Sequence, residues 1–212
     1  MKTILAIDSG GIRGIIPALL LQEIEKRTTL HIPDLFDVIA GSSTGGILAA
    51  TVSIPHKHTK KPKYTTNDIV KFYYEFGQEI FKRSLYHKII SGWGLWGPKY
   101  PLTGMTNVIN RLIDNIKISE VLTGLVITSY DLEKAEPYVI SSFNPDHREA
   151  YLRGAIQGTS SVPSYFSPYR TKIKDRVLSL VDGSAFAINP ALWGYVESVS
   201  DGEEVLMLSL GT

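Results

Sequence analysis

"FDVIAGSSTGGILAA", residues 36–50, passes from an apolar stretch through a cramped polar turn into an apolar stretch of another kind. Val38 and Ile39 suit a buried strand. Ile47, Leu48, Ala49, Ala50 and Val52 suit a helix that is apolar nearly all round, hence buried. Between the two stands G-x-S-x-G, with Gly41, Ser43 and Gly45 in register. A serine on a sharp strand-to-helix turn presents its hydroxyl above the end of a sheet. The strained backbone there leaves no room for side chains two residues to either side. Glycine at both places removes the collision. The register selects Ser43 over Ser42, which has Ala40 and Thr44 at those distances. The same stretch also reads as a Gly/Ser-rich loop in which Ser43 or Thr44 caps the helix. Taken alone, it supports both readings.

Outward from this turn the chain alternates. A strand at Thr3–Ile7 leads through a glycine turn into a helix at Ile15–Arg27, and the Phe36–Ala40 strand leads into the second helix. Amphipathic spacing predicts helices at Asn67–Lys82, capped by Asn67 or the threonines before it, and at Thr106–Asn115. Strands follow at Leu125–Ser129 and Tyr138–Ser142, a helix at Arg148–Gln157 and a buried strand at Val177–Val181. Asn189-Pro190 forms an N-cap and N1 pair for another helix, and Val205–Leu210 closes as a strand. This alternation predicts an α/β fold: a mostly parallel sheet covered by helices on both faces. Residues 84–101, with Trp93, Trp96 and repeated glycines, break the pattern and read as irregular.

Composition sets the bounds. The 212 residues are 43% hydrophobic and 20% charged, with a formal net charge of +1, which fits one large α/β domain over residues 1–212. Near-neutral charge and the lack of a recognition signature argue against nucleic acid as a partner. With no cysteine there is no disulfide, thiolate metal site or cysteine nucleophile. The opening MKTILAI starts like a signal peptide, but Asp8 ends the apolar run early and no small-residue cleavage site follows. No apolar run is long enough to span a membrane. The expected location is cytoplasmic or peripheral at a membrane. The chain ends on Leu210-Gly211-Thr212 directly after a core-like strand, as a piece of something longer would.

A second glycine turn, Asp8-Ser9-Gly10-Gly11-Ile12-Arg13-Gly14, also joins a strand to a helix. Small residues leave its N–H groups exposed at a helix start, a place for a phosphate or the oxyanion of an acyl-transfer intermediate. It is not the dinucleotide fingerprint, since Ser9 stands where G-x-G-x-x-G needs glycine, and Asp37 falls at the wrong end of its strand to bind ribose. Ile47 after Gly46 likewise breaks the G-x-x-x-x-G-K pattern.

A serine nucleophile needs a base. Of His31, His56, His58, His87 and His147, two lie in the lysine-rich run 55–63 and His147 lies in a turn after Pro145-Asp146. The usual order is serine, acid, histidine, and none of the five follows Asp182, the acid considered next. The Val177–Val181 strand instead ends in Asp182-Gly183, which places a carboxylate at a strand's carboxyl end, in the crevice where open α/β sheets bind ligands. An Asp-Gly pair is also a common hairpin turn.

Three sites together resemble the patatin-like phospholipase family: the glycine loop at residues 8–14, Gly41-Ser42-Ser43-Thr44-Gly45, and Asp182-Gly183. The stretches "GLWGPKY", "AIQGTSSVPSYFSPYR" and "LSLGT" resemble it too, in order along essentially the whole chain. Two departures stand out: Ser9 replaces the first of three usual glycines, and Ser184 follows Asp182-Gly183. The resemblance implies a lipid acyl hydrolase, a phospholipase A or broader esterase. Ser43 would be the nucleophile and Asp182 its base, a dyad without histidine. Gly10 and Gly11, with Ile12, would supply oxyanion-hole N–H groups, and Arg13 would support that loop or add positive charge, unless it is simply a solvent-facing arginine. No metal or cofactor is expected. The partner is a phospholipid or other acyl-ester lipid, with peripheral membrane contact. For that contact the candidates are the basic run His56–Lys63, with Lys57, Lys60, Lys61 and Lys63, and the segment Gly92–Trp96 with Trp93 and Trp96; the same stretches also read as a solvated loop and as tryptophans packed into the core. Transfer of the acyl group to another acceptor and non-catalytic lipid or anion binding are the alternatives.

Overall fold

A computed structural model describes residues 1–80 and 99–212 of the protein. The chain begins with β1 (Lys2–Ile7), a 3-10 turn at Gly11–Gly14, α1 (Ile15–Thr28), a one-turn α2 (Ile32–Leu35), β2 (Val38–Ser42) and α3 (Thr44–Ser53). Then come α4 (Thr66–Ile80), α5 (Leu102–Leu112), β3 (Gly124–Asp131), β4 (Glu136–Ser141) and α6 (Leu152–Thr159). The chain closes with β5 (Tyr169–Ile173), β6 (Arg176–Asp182), α7 (Ala191–Ser198) and β7 (Val205–Leu210).

The strands form one seven-stranded sheet in the order β5-β6-β3-β2-β1-β7, with β4 also paired to β3. β7, β1, β2 and β3 are parallel neighbours. β4 and β6 run antiparallel to β3, and β5 antiparallel to β6, so most strands point one way. β3 is the long central member. β4 occupies one of its edges over Val126–Asp131, so β2 and β6 must share the other. β2 covers Gly124–Thr128 of that edge and β6 covers Ser129–Asp131 from the opposite direction. The carboxyl ends of β2 and β6 therefore meet head-on, at Thr128 and Ser129.

Strand alternation builds two layers around the sheet. Leu5, Ile7, Ile39, Leu125 and Ile127 point into one core with Leu48 of α3, Ile109 of α5 and Ile156 of α6. Ile4, Val38, Ala40 and Val126 face the other way, against Trp193 of α7 and Val199. These strand residues are 0–1% exposed, and each contributes about 1.5–3 kcal/mol where a large side chain is fully buried. The helix-covered, mostly parallel sheet is the architecture read from the sequence.

Several boundaries differ from the sequence reading. β2 begins at Val38 rather than Phe36 and runs through Ser42, straight into the elbow. The α4 cap, by contrast, falls on one of the expected threonines: Thr65 Oγ1 accepts the Asp68 N–H at 3.3 Å while Asp68 Oδ2 accepts the Thr65 N–H at 3.0 Å. α5 starts after Pro101, four residues ahead of the expected Thr106, and α6 starts at Leu152 because residues 142–150 are spent in turns. Asn189 stands one place further out than expected, yet its Oδ1 still accepts the Ala191 N–H at 2.9 Å. β5 has no counterpart in the sequence reading; it is the hairpin partner of β6, turned by Lys174 at φ 54°. His87, Trp93 and Trp96 lie outside the described residues. Among the described residues, no helix is long and apolar enough to cross a membrane.

Candidate active site

Ser43 stands between β2 and α3 with φ 52° and ψ −121°, the strained backbone expected of the elbow. Its flanking glycines are required by close approach. A Cβ on Gly41 would lie 2.3 Å from the Gly45 carbonyl oxygen, and one on Gly45 2.1 Å from that of Ile7. The Ser43 side chain does not cap α3. Its hydroxyl instead donates to Asp182 Oδ2 at 2.6 Å, a short, charge-assisted bond. The Ser43 cap of the alternative reading of residues 36–50 is therefore not formed.

Asp182 is fully buried. Burial pushes its carboxyl above the usual carboxylate range, and the bonds from Ser43 and Ser184 oppose the shift without cancelling it. The strand ends in a 3-10 turn at Gly183–Ala185 rather than a hairpin, and Oδ1 accepts the Ser184 N–H at 2.8 Å. Each carboxylate oxygen thus has its own donor.

The end of α6 and the residues just after it hold both members of the pair. Thr159 Oγ1 accepts the Ser43 N–H at 2.8 Å, and the Ser161 carbonyl accepts the Asp182 N–H at 3.0 Å. In the sequence this stretch has no legible role, because a threonine and a serine carry no signal until folding sets them beside the elbow.

The glycine loop lies alongside. The Arg13 N–H donates to the Gly10 carbonyl at 3.2 Å, so the N–H groups of Gly10, Gly11 and Ile12 precede the first turn and have no acceptor within it. Gly11, at φ 58°, and Ile12 line the same cavity as Ser43, whereas Gly10 N-caps the turn. Arg13 is exposed and makes no ion pair with a described residue, which favours the solvent-facing reading of it. Asp8 is pushed above the usual range by burial. Thr44, next to Ser43, shares a 2.6 Å hydrogen bond with the Tyr73 hydroxyl of α4.

The cavity holds about 450 Å³ and has an apolar wall that includes Ile47, Ile69, Phe72, Met105, Ile109 and Phe166. Lys99 also lines it, its ammonium 5.7 and 5.0 Å from the ring centres of Tyr100 and Tyr165.

His147 is engaged elsewhere. It is buried, Nδ1 accepts the Ser141 N–H at 3.1 Å, and Nε2 lies 3.2 Å from the Tyr138 hydroxyl. Burial lowers its pKa. Among the described residues, no group of three or more His, Asp or Glu side chains converges as a metal site.

A helix-covered, mostly parallel sheet with a serine on its strand-to-helix elbow, facing a buried aspartate, places the molecule among α/β proteins. Residues 5–192 match the patatin-like phospholipase family, and the chain belongs to it. It is 35% identical over 206 residues to patatin-like protein 4 of Arabidopsis thaliana, covering 92% of this chain and 51% of that protein. Patatin-like protein 2 of the same plant is 33% identical over 246 residues, with 100% of this chain and 60% of the relative covered. A Solanum tuberosum relative named "Probable inactive patatin-3-Kuras 1" is 30% identical, with 100% and 62% covered. This chain thus spans between half and two thirds of the length of these relatives. A crystal structure of VipD from Legionella pneumophila shares the fold at a TM-score of 0.56 and 12% identity, over 99% of this chain and 50% of that one.

Proposed function

We propose that the protein is a serine hydrolase of lipid acyl esters, with Ser43 as nucleophile and Asp182 as general base. The observation that carries the reading is the 2.6 Å bond from the Ser43 hydroxyl to a buried carboxylate, at the edge of an apolar cavity. The cavity takes the acyl chain. As Ser43 Oγ attacks the ester carbonyl, its proton passes to Asp182, whose burial makes it a stronger base than an exposed aspartate. The carbonyl oxygen becomes an oxyanion held by the N–H groups of Gly10, Gly11 and Ile12. Collapse expels the alcohol, which takes the proton from Asp182. Water then attacks the acyl-Ser43 ester and gives a proton to Asp182; collapse of that intermediate releases the fatty acid as Asp182 returns the proton to Ser43 Oγ.

Lys99 supports an anionic headgroup near the ester, as in a phospholipid. Peripheral membrane contact is supported by the hairpin at residues 55–62, where Lys57, Lys60 and Lys61 are exposed. Lys63 departs from the sequence reading: its ammonium is 3.0 Å from Asp114 and lies over the Tyr64 ring.

A relative named as inactive makes the test necessary. A fluorophosphonate probe should label wild-type protein at Ser43, and vesicles of phosphatidylcholine should release fatty acid. Ser43→Ala should do neither while remaining folded. Release of fatty acid by folded Ser43→Ala would sink the assignment, and alkyl esters formed with added alcohols would indicate acyl transfer instead.

A further inference from the structure

The glycine loop has to aim its N–H groups, yet glycine side chains cannot anchor it. Its anchors come from elsewhere in the chain. The Ser9 N–H donates to the Ile188 carbonyl at 2.9 Å, and the Asp8 N–H to that of Leu210 at 3.0 Å. The Ser9 carbonyl, in turn, accepts the hydroxyl of Thr212 at 2.7 Å. Thr212 lies two residues beyond β7, the edge strand next to β1, and so reaches the loop across the top of the sheet.

We infer that Thr212 is a positioning residue for the oxyanion hole: by holding the Ser9 carbonyl it sets the direction of the Gly10 N–H. The argument is covalent geometry. The Ser9–Gly10 peptide is trans, as no cis bond occurs among the described residues, and a trans peptide is planar with its C=O and N–H pointing opposite ways. A hydroxyl that fixes the carbonyl on one side fixes the N–H on the other.

Packing supports the same assignment. A Cβ placed on Gly10 would lie 2.0 Å from Thr212 Oγ1 and 2.4 Å from its Cβ. The volume a side chain at position 10 would need is occupied by Thr212. This explains a glycine at position 10, where φ is 178° and asks for none, in physical terms. The inference rests on the proposed oxyanion role of the loop.

Thr212→Val removes the hydroxyl and keeps the shape, Thr212→Ser does the reverse, and Thr212→Ala removes both. The readouts are kcat and KM on p-nitrophenyl butyrate, the rate of fluorophosphonate labelling and the thermal midpoint. Removal of one oxyanion donor typically costs 10²–10³ in kcat, so a misdirected donor should cost roughly 10- to 100-fold. Expected results are a kcat fall of that size in Thr212→Val with KM nearly unchanged, a matching fall in labelling rate, and near-normal kcat in Thr212→Ser. Should Thr212→Val fail to fold, Thr212→Ser and Thr212→Ala decide, since they differ only in the hydroxyl. Equal kcat in that pair, or wild-type kcat in folded Thr212→Val, overturns the inference. A wild-type protein that neither hydrolyses the ester nor is labelled at Ser43 overturns the proposed function instead.

Discussion

Asp182→Asn tests the dyad with almost no change in shape. The wild-type carboxylate has two donors, Ser184 N–H on Oδ1 at 2.8 Å and Ser43 O–H on Oδ2 at 2.6 Å. Asparagine has one carbonyl oxygen and one NH₂. The backbone N–H of Ser184 can only donate, so it keeps the oxygen. The NH₂ then faces Ser43 Oγ, which must accept, and the Ser43 proton swings away with no base to take it. A positioned general base contributes roughly 10²–10⁴ in rate, or about 3–5 kcal/mol of barrier. Ester hydrolysis by the folded variant should fall by that factor. Stability should move the other way. Burial raises the pKa of Asp182 in the folded state, so native protein binds that proton more tightly than unfolded chain does. The ionised form therefore costs stability once pH rises through the folded pKa. Asp182→Asn should match wild type below the unfolded value of about 3.9 and should be the more stable at neutral pH. Wild-type activity should correspondingly fade as pH drops through the raised pKa. Thermal melts and initial rates from pH 4 to 8 measure both effects. A folded variant within tenfold of wild-type activity would refute the reasoning, as would one less stable than wild type at neutral pH.

Three further outcomes follow from the same geometry. Glycine suits φ 52° and ψ −121° better than alanine does, so Ser43→Gly should be more stable than Ser43→Ala by about 1 kcal/mol or more in denaturant melts. Gly45→Ala drives a Cβ into the Ile7 and Asp8 carbonyls and should cost about 1–3 kcal/mol or more, lowering the melting midpoint by several degrees. Replacing Lys57, Lys60 and Lys61 with glutamine should weaken binding to anionic vesicles, by about 1 kcal/mol per lysine that nears the surface, most clearly at low salt. Hydrolysis of p-nitrophenyl butyrate should not change, and vesicle affinity insensitive to charge and salt would remove the hairpin from membrane contact.

The elbow was legible because its constraint is local. Strain at Ser43 forces glycine at positions 41 and 45, and those glycines stand next to it in the chain. β1, α1 and β7 were legible for a similar reason, since their apolar periods begin and end at plain boundaries. The direction of β6 was not. An apolar run ending in Asp-Gly reads the same whether it lies parallel or antiparallel, and the partner that fixes its direction, β5, is a polar edge strand in which only Ile173 is fully buried. Thr159, Ser161 and Thr212 were illegible as site residues because each acts through one hydroxyl or carbonyl on a segment distant in sequence. The family resemblance covered their stretches without distinguishing them from their neighbours.

The antiparallel course of β6 also accounts for a serine and an aspartate that touch without a histidine between them. In an all-parallel sheet, neighbouring strands lie about 4.8 Å apart, and carboxyl ends sit side by side with their side chains directed to the faces. Here β2 and β6 share one edge of β3 and end against each other, Ser42 opposite Thr128 and Asp182 opposite Ser129. The chain leaving β2 turns at Ser43 within reach of the last residue of β6. An imidazole between the two would have to part strands held on consecutive residues of β3. In the proposed mechanism this close meeting favours direct proton transfer and leaves the remaining burden of catalysis to donors outside the pair. The glycine loop after the neighbouring strand β1 is the proposed source of such donors, with Gly11 and Ile12 on the wall they share with Ser43.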